Sequence, residues 1–137
     1  MQKLFAAIVF MLLSHSSGVM ATPALIEAKE IKRVDLTGAS GMEVVSTITT
    51  YQPGAVLRRH FHHGVEALLV VQGGMIQYPG KKPQAIPTGF SLVNERGVPH
   101  AGFKVVGETS LKLFTVHSVD KGKPLYDWLD DHKPMSK

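Results

Sequence analysis

The chain has 137 residues, of which 15 are basic and 11 acidic, with no cysteine and a formal charge of +4. That length supports one domain with a single core and leaves no room for a second catalytic module. The missing cysteines exclude disulfides and thiolate metal ligands, and a modest basic surplus broken into pairs such as Arg58-Arg59 and Lys81-Lys82 does not make a nucleic-acid footprint.

Met1-Gln2-Lys3, the apolar run Leu4 to Leu13 and the small-residue site Val19-Met20-Ala21 form the three-part pattern of a secretory signal peptide. The apolar run is too short to span a bilayer. Cleavage after Ala21 would leave 116 of the 137 residues, with 14 basic against 11 acidic, as a periplasmic or secreted chain without a stable membrane span. Residues 22–137 then make up the single domain. Thr22 to Glu30 reads as an irregular arm, Ile31 to Leu36 as an edge strand, and Met42 to Tyr51 as a strand with one buried face. After the turn Gln52-Pro53-Gly54 come strands at Ala55 to His62 and Ala67 to Gln72, the second apolar enough to be buried on both faces. Met75 to Tyr78, the polar hairpin tip Pro79 to Pro83, and strands at Phe90 to Val93, Gly102 to Val106 and Ser110 to His117 follow. From Pro124 to Asp131, Leu125, Trp128 and Leu129 share one face at helical spacing, which predicts a short C-terminal helix. Short strands separated by glycine and proline turns predict an all-β antiparallel sandwich or barrel. A homodimer would cover its edge strands and the apolar face of that helix.

The chemistry concentrates in His60-Phe61-His62-His63-Gly64-Val65-Glu66. Alternate strand residues share a face, so His60 and His62 project together, and a turn at Gly64 would return the Glu66 carboxylate toward them. His100, after the turn Glu95 to Pro99, is placed to start a strand opposite. Three imidazoles and one carboxylate suit manganese, iron, cobalt, nickel, copper or zinc, and disfavour calcium or magnesium. Four such ligands leave two positions open in an octahedron and close a tetrahedron. Strand parity puts Arg58 on the inward face, where it would hold a substrate carboxylate or phosphate; nearer the rim it would reach solvent instead. His63 points the other way, His117 falls at a strand end as an outer support, and Glu95 is a candidate general base or an ion-pair partner of Arg96. Tyr78 and Phe90, with Leu57 and Met75, are candidate substrate contacts.

Gly54, five residues, His60, one residue, His62, three residues, Glu66, six residues and Gly73 resemble the complete first motif of the cupin superfamily. The second motif is partial: Gly97 and His100 match, while Glu95 stands for the usual proline and Lys104 for the asparagine. The resemblance runs from about Val44 to Leu125 and looks closest to small exported single-domain cupins with a tail like Lys121 to Leu125. It implies a jelly-roll barrel, to which the spacing at Pro124 to Asp131 adds the short C-terminal helix, and one divalent transition metal held by His60, His62, Glu66 and His100. The resemblance also implies a small-molecule ligand. A metal-dependent dioxygenase is the favoured activity; a metal-dependent lyase or isomerase, and a sugar-, metabolite- or metal-binding module without turnover, are the alternatives.

Overall fold

The computed structural model describes residues 24–129. The leader and its cleavage site lie outside them. Eleven strands run in order: β1 (Ile26–Asp35), β2 (Met42–Tyr51), β3 (Val56–Leu57), β4 (His60–Phe61), β5 (Gly64–Gln72), β6 (Gly74–Gln77), β7 (Gln84–Ile86), β8 (Ser91–Asn94), β9 (Phe103–Val106), β10 (Leu111–Asp120) and β11 (Asp127–Trp128). They form a five-stranded sheet β1-β2-β10-β5-β8, a four-stranded sheet β3-β9-β6-β7 and the pair β11-β4. All pairings are antiparallel. This is the sandwich-like barrel expected from the strand pattern. Among the described residues no helix is long and apolar enough to cross a membrane.

Period-two alternation builds the interior. Along β2, Val45, Thr47, Thr49 and Tyr51 are buried, and along β10 Leu111, Leu113, Thr115, His117 and Val119 are buried, with partly covered residues between them. The apolar core gathers Tyr51, Leu57, Val70, Ile76, Phe103, Val105, Leu111 and Leu113 from both larger sheets. Interdigitated side chains from facing sheets are what hold such a fold together. One acid, Glu43, is buried beside this face and is paired with Arg33 of β1.

Four expectations are corrected. Strand β1 begins at Ile26, inside the stretch read as an irregular arm, because Ile26 to Glu30 find backbone partners along β2. Strand β5 is not buried on both faces: Val65, Leu69 and Val71 are exposed while Glu66 and Val70 face in. His117 lies within β10, not at a strand end. No helix forms over the described part of Pro124 to Asp131; instead Asp127 pairs with Phe61 and Trp128 with His60. Backbone groups left open beside β4 outbid the local helical spacing, and the Leu129 amide also donates to the Arg59 carbonyl at 3.0 Å. Residues 124–129 thus form a strap across the first histidine strand.

Candidate metal centre

Ring nitrogens of His60, His62 and His100 lie within 4.8 Å of one another in the barrel, and the Glu66 carboxylate meets those of His62 and His100. The Nε2 atoms of His62 and His100 are 3.1 Å apart. Each lies 3.3 Å from Glu66 Oε2. The His60 ring sits with its centroid 4.8 Å from that of His62 and 4.4 Å from that of His100. His60, His62 and Glu66 are buried, and His100 is partly covered.

The backbone explains how each side chain arrives. His60 and His100 exchange both backbone hydrogen bonds, at 2.9 and 3.2 Å, which sets the two imidazoles side by side. After His100, Ala101 and Gly102 both take left-handed backbone angles, φ 62° and 84°, turning the chain into β9. Glu66 lies opposite His117 on β10 and opposite Asn94 on β8, so those three side chains form one row across the sheet. Asn94 Nδ2 donates to Glu66 Oε2 at 2.6 Å. Gly64 serves a different purpose from the turn expected of it. A Cβ there would meet the backbone of Ser118 and Val119, so glycine lets β5 and β10 approach closely beside the carboxylate.

Outer hydrogen bonds orient the imidazoles. His60 Nδ1 donates to the Arg58 carbonyl at 2.9 Å, His62 Nδ1 to the Leu125 carbonyl at 2.5 Å, and His100 Nδ1 to the Val98 carbonyl at 3.0 Å. A carbonyl can only accept, so each of these Nδ1 atoms carries a proton and each Nε2 is left to face the cluster, offering its lone pair to a metal ion or, at His62 and His100 when protonated, donating to Glu66. Two lone pairs 3.1 Å apart and a carboxylate oxygen 3.3 Å from both repel one another unless a proton or a metal ion lies among them. Ligands at about 2.1 Å from one ion would be separated by about 3.0 Å along an octahedral edge. The spacing and the donor set therefore fit a transition-metal ion.

Electrostatics agree. Burial pushes the imidazolium forms of His60 and His117 down to about 4, which keeps both rings neutral and able to donate a lone pair. Burial works to raise the Glu66 carboxyl, but donation from His100 and His62, where a proton rather than a metal ion lies on Nε2, and from Asn94 outweighs it and holds the group well below the usual carboxylate range. His100 is also disfavoured as a cation by burial, yet its contact with Glu66 raises it above its ordinary value.

His117 belongs to this cluster more closely than an outer support. It is fully buried, its Nε2 lies 3.6 Å from Glu66 Oε1 and 3.0 Å from the Thr115 hydroxyl, and it forms a second potential ligand group with His62 and Glu66. Its Nδ1 has no partner among the described residues. The inward parity of Leu111, Leu113, Thr115 and Val119 is the sequence signal that places it here. Tyr126, which no sequence signal singles out, covers the cluster from the strap, with ring centroids 5.0 Å from His60 and 5.2 Å from His62. Burial, then the charge of Glu66, raises its phenol to about 12.

A cavity of about 380 Å³ opens beside the cluster, reaching His60, Glu66 and His100 and lined further out by Leu57, Tyr78 and Phe90. Met75 is not on this lining. Neither is Arg58, because the chain between β3 and β4 is irregular: Leu57 and His60 face in, while Arg58 and Arg59 are both exposed. The Arg58 guanidinium lies over the Trp128 ring, 5.6 Å from its centroid. Glu95 is exposed, and Arg96 pairs with Asp120 rather than with it. His63 is half-buried and pairs with Asp127 at 3.0 Å.

A family model described as "Cupin domain" matches residues 47–117. No curated protein matches the chain. Among solved structures, an RmlC-like cupin protein from Ralstonia eutropha JMP134 superposes with TM-score 0.56 at 18% identity over 82% of this chain and 65% of its own. The polyketide cyclase RemF from Streptomyces resistomycificus gives 0.53 at 20% identity, over 78% of this chain and 74% of its own. The DMSP lyase DddQ from Ruegeria pomeroyi DSS-3 gives 0.52 at 14% identity, over 72% of this chain and 49% of its own. The chain thus spans less than two thirds of the first and third of these proteins, and at such identities the likeness is one of fold.

Proposed function

Since this chain belongs to the cupin domain family, we propose that it is an exported, single-domain, metal-dependent enzyme acting on a small molecule, of dioxygenase type. The observation that carries the reading is the convergence of imidazole Nε2 atoms and the Glu66 carboxylate at the inner end of a cavity open to a ligand. His60, His62, Glu66 and His100 would hold one divalent ion, with His117 as a further nitrogen donor in reach. A bound iron or copper would supply Lewis acidity and redox capacity for joining dioxygen to a substrate. The chain's own contribution is to fix the ligands through backbone carbonyls, to keep the His60 and His117 rings neutral, and to exclude water with the apolar lining.

A lyase or isomerase is the second reading, favoured by Tyr126. Its phenol stays protonated at neutral pH and stands over the ligand cluster, where it could donate a proton to a substrate oxygen. The cyclase and lyase chemistries named for two structural neighbours sit in barrels of similar shape. The leader, which would direct the chain to the periplasm or beyond, lies outside the described residues, and mass spectrometry of the mature protein would test for Thr22 as its first residue. The fully exposed edge strand β1, bearing Ile26, Ile31 and Val34, supports a homodimer, testable by light scattering.

The deciding experiment pairs elemental analysis of wild type and His60→Ala with oxygen-electrode screening on catechols and flavonols. Near-stoichiometric iron or copper, lost in the variant, with substrate-dependent oxygen uptake, is the expected result. Turnover without oxygen uptake would move the assignment to the lyase or isomerase reading, and a wild-type metal content in His60→Ala would overturn the ligand set.

A further inference from the structure

The cavity combines one polar end with walls that offer no counter-charge. Its inner end carries His60, Glu66, His100, Asn94 and Tyr126. Its outer walls are Leu57, Leu68, Tyr78, Phe90 and Phe103, with the neutral Gln84 at one side. Among the described residues no lysine or arginine lines it, and Glu66 is its one carboxylate. Arg58 and Arg59, which lie between the lining residues Leu57 and His60, are both exposed, and Arg58 is turned onto Trp128. At about 380 Å³ the space lies near the small end of ligand pockets, which run from about 300 to 1,000 Å³, and suits a molecule of one or two rings. Tyr78 and Phe103, in edge-to-face contact at 5.9 Å, present aromatic surface to such a ring.

We propose that this cavity selects an uncharged, largely apolar, ring-sized molecule that turns one oxygen-bearing edge toward the His60–His62–Glu66–His100 cluster, and rejects analogues carrying an ionised group at the opposite end. The physical reason is the cost of desolvation. An ion at the far end would leave water for aromatic and aliphatic walls and meet no opposite charge there. Selection against such analogues follows from what the walls lack, as it does wherever a site leaves a ligand's charge unpaired. The inference rests on the reading that the cluster holds a metal ion and the cavity a ligand.

Three catechols with one common chelating edge and different far ends test it: 4-ethylcatechol (neutral), 3-(3,4-dihydroxyphenyl)propionate (anionic) and dopamine (cationic). Each is titrated calorimetrically into zinc-loaded protein and into zinc-treated His60→Ala, with zinc content measured for both. The expected result is at least thirtyfold tighter binding of the neutral compound than of either ion, in wild type only. In Phe90→Arg, a replacement at the half-open rim, the anion should recover at least tenfold at unchanged zinc content. Equal affinities for all three, or no binding of any to a protein that holds one zinc per chain, would overturn the selection while leaving the metal centre standing. Absence of stoichiometric zinc from the wild type would overturn both.

Discussion

Replacing Gly64 by alanine should damage the metal centre without touching a ligand. Gly64 faces Val119 in the β5–β10 ladder, two residues before Glu66. A Cβ built on it would lie 2.6 Å from Val119 Cα and 2.8 Å from the Ser118 carbonyl carbon, where ordinary contact begins at 3.4 Å. The Ser118 carbonyl oxygen would be closer still; all three obstacles are backbone, so no rotamer relieves them, and the strands must part by more than the roughly 0.8 Å that the Val119 contact alone requires. The ligand atoms of His62, His100 and Glu66 stand 3.1–3.3 Å apart, and metal–ligand distances tolerate only about ±0.2 Å. A strand shift several times that tolerance, so close to Glu66, should weaken metal binding by about tenfold to a hundredfold, on the scale of losing an outer support. Overpacking should cost about 1–3 kcal/mol of stability in addition. Chelator competition at fixed metal and urea unfolding of the metal-free protein measure the two effects separately. Gly38→Ala is the control, since Gly38 has φ +84° and open space in the β1–β2 turn. It should lose about 1 kcal/mol through backbone strain and bind metal as wild type does. Wild-type metal affinity in Gly64→Ala would refute the argument that strand approach at this glycine sets the carboxylate.

Asn94→Ala removes the side-chain amide that donates to Glu66 and should lower metal affinity about tenfold, read by the same competition, with unchanged affinity counting against the row across β8, β5 and β10. Without metal, stability should fall as pH drops from about 6.5 toward 4. His60 and His117 stay neutral in the fold down to about 4, while the unfolded chain takes up protons near 6.5. Each contributes a slope of about 1.4 kcal/mol per pH unit in that window, and His100, raised by Glu66, titrates above it and does not cancel the loss. Urea midpoints that are level between pH 6.5 and 5 would contradict this. Trp128, the single tryptophan of the chain, stacks on Tyr126 and sits 5.1 Å from the His60 ring. Copper(II) or nickel(II) should quench its emission with a one-to-one endpoint, and a metal-bound protein with unquenched emission would argue that the ion lies elsewhere.

Much of the architecture was legible because strands write their facing in alternate letters. Met42 to Tyr51 and Leu111 to Asp120 keep that alternation without a break, and the spacing of His60, His62 and Glu66 with His100 anticipates the cluster the fold assembles. Of the two faces open to Arg58 the structure shows the solvent one, because alternation fails where β3 ends and β4 begins, and one irregular step turns a side chain from the interior to solvent. His117 was undervalued for want of its partner: its neighbour in space, Glu66, lies far upstream, and only the β5–β10 register joins them. The strap was hidden for a related reason. Locally Pro124 to Asp131 has helical spacing, and the pairing of Asp127 and Trp128 with Phe61 and His60 is a long-range choice that local propensity does not record.

That strap gives the centre a timetable. The carbonyl that fixes the His62 ring belongs to Leu125, 63 residues downstream, so during synthesis the histidine strand leaves the ribosome well before the group that orients it. Until residues 125–129 have emerged and docked, His62 is free to rotate and Tyr126 does not cover the cluster. A nascent chain meeting metal would therefore hold it loosely, and firm capture would report that the barrel has closed.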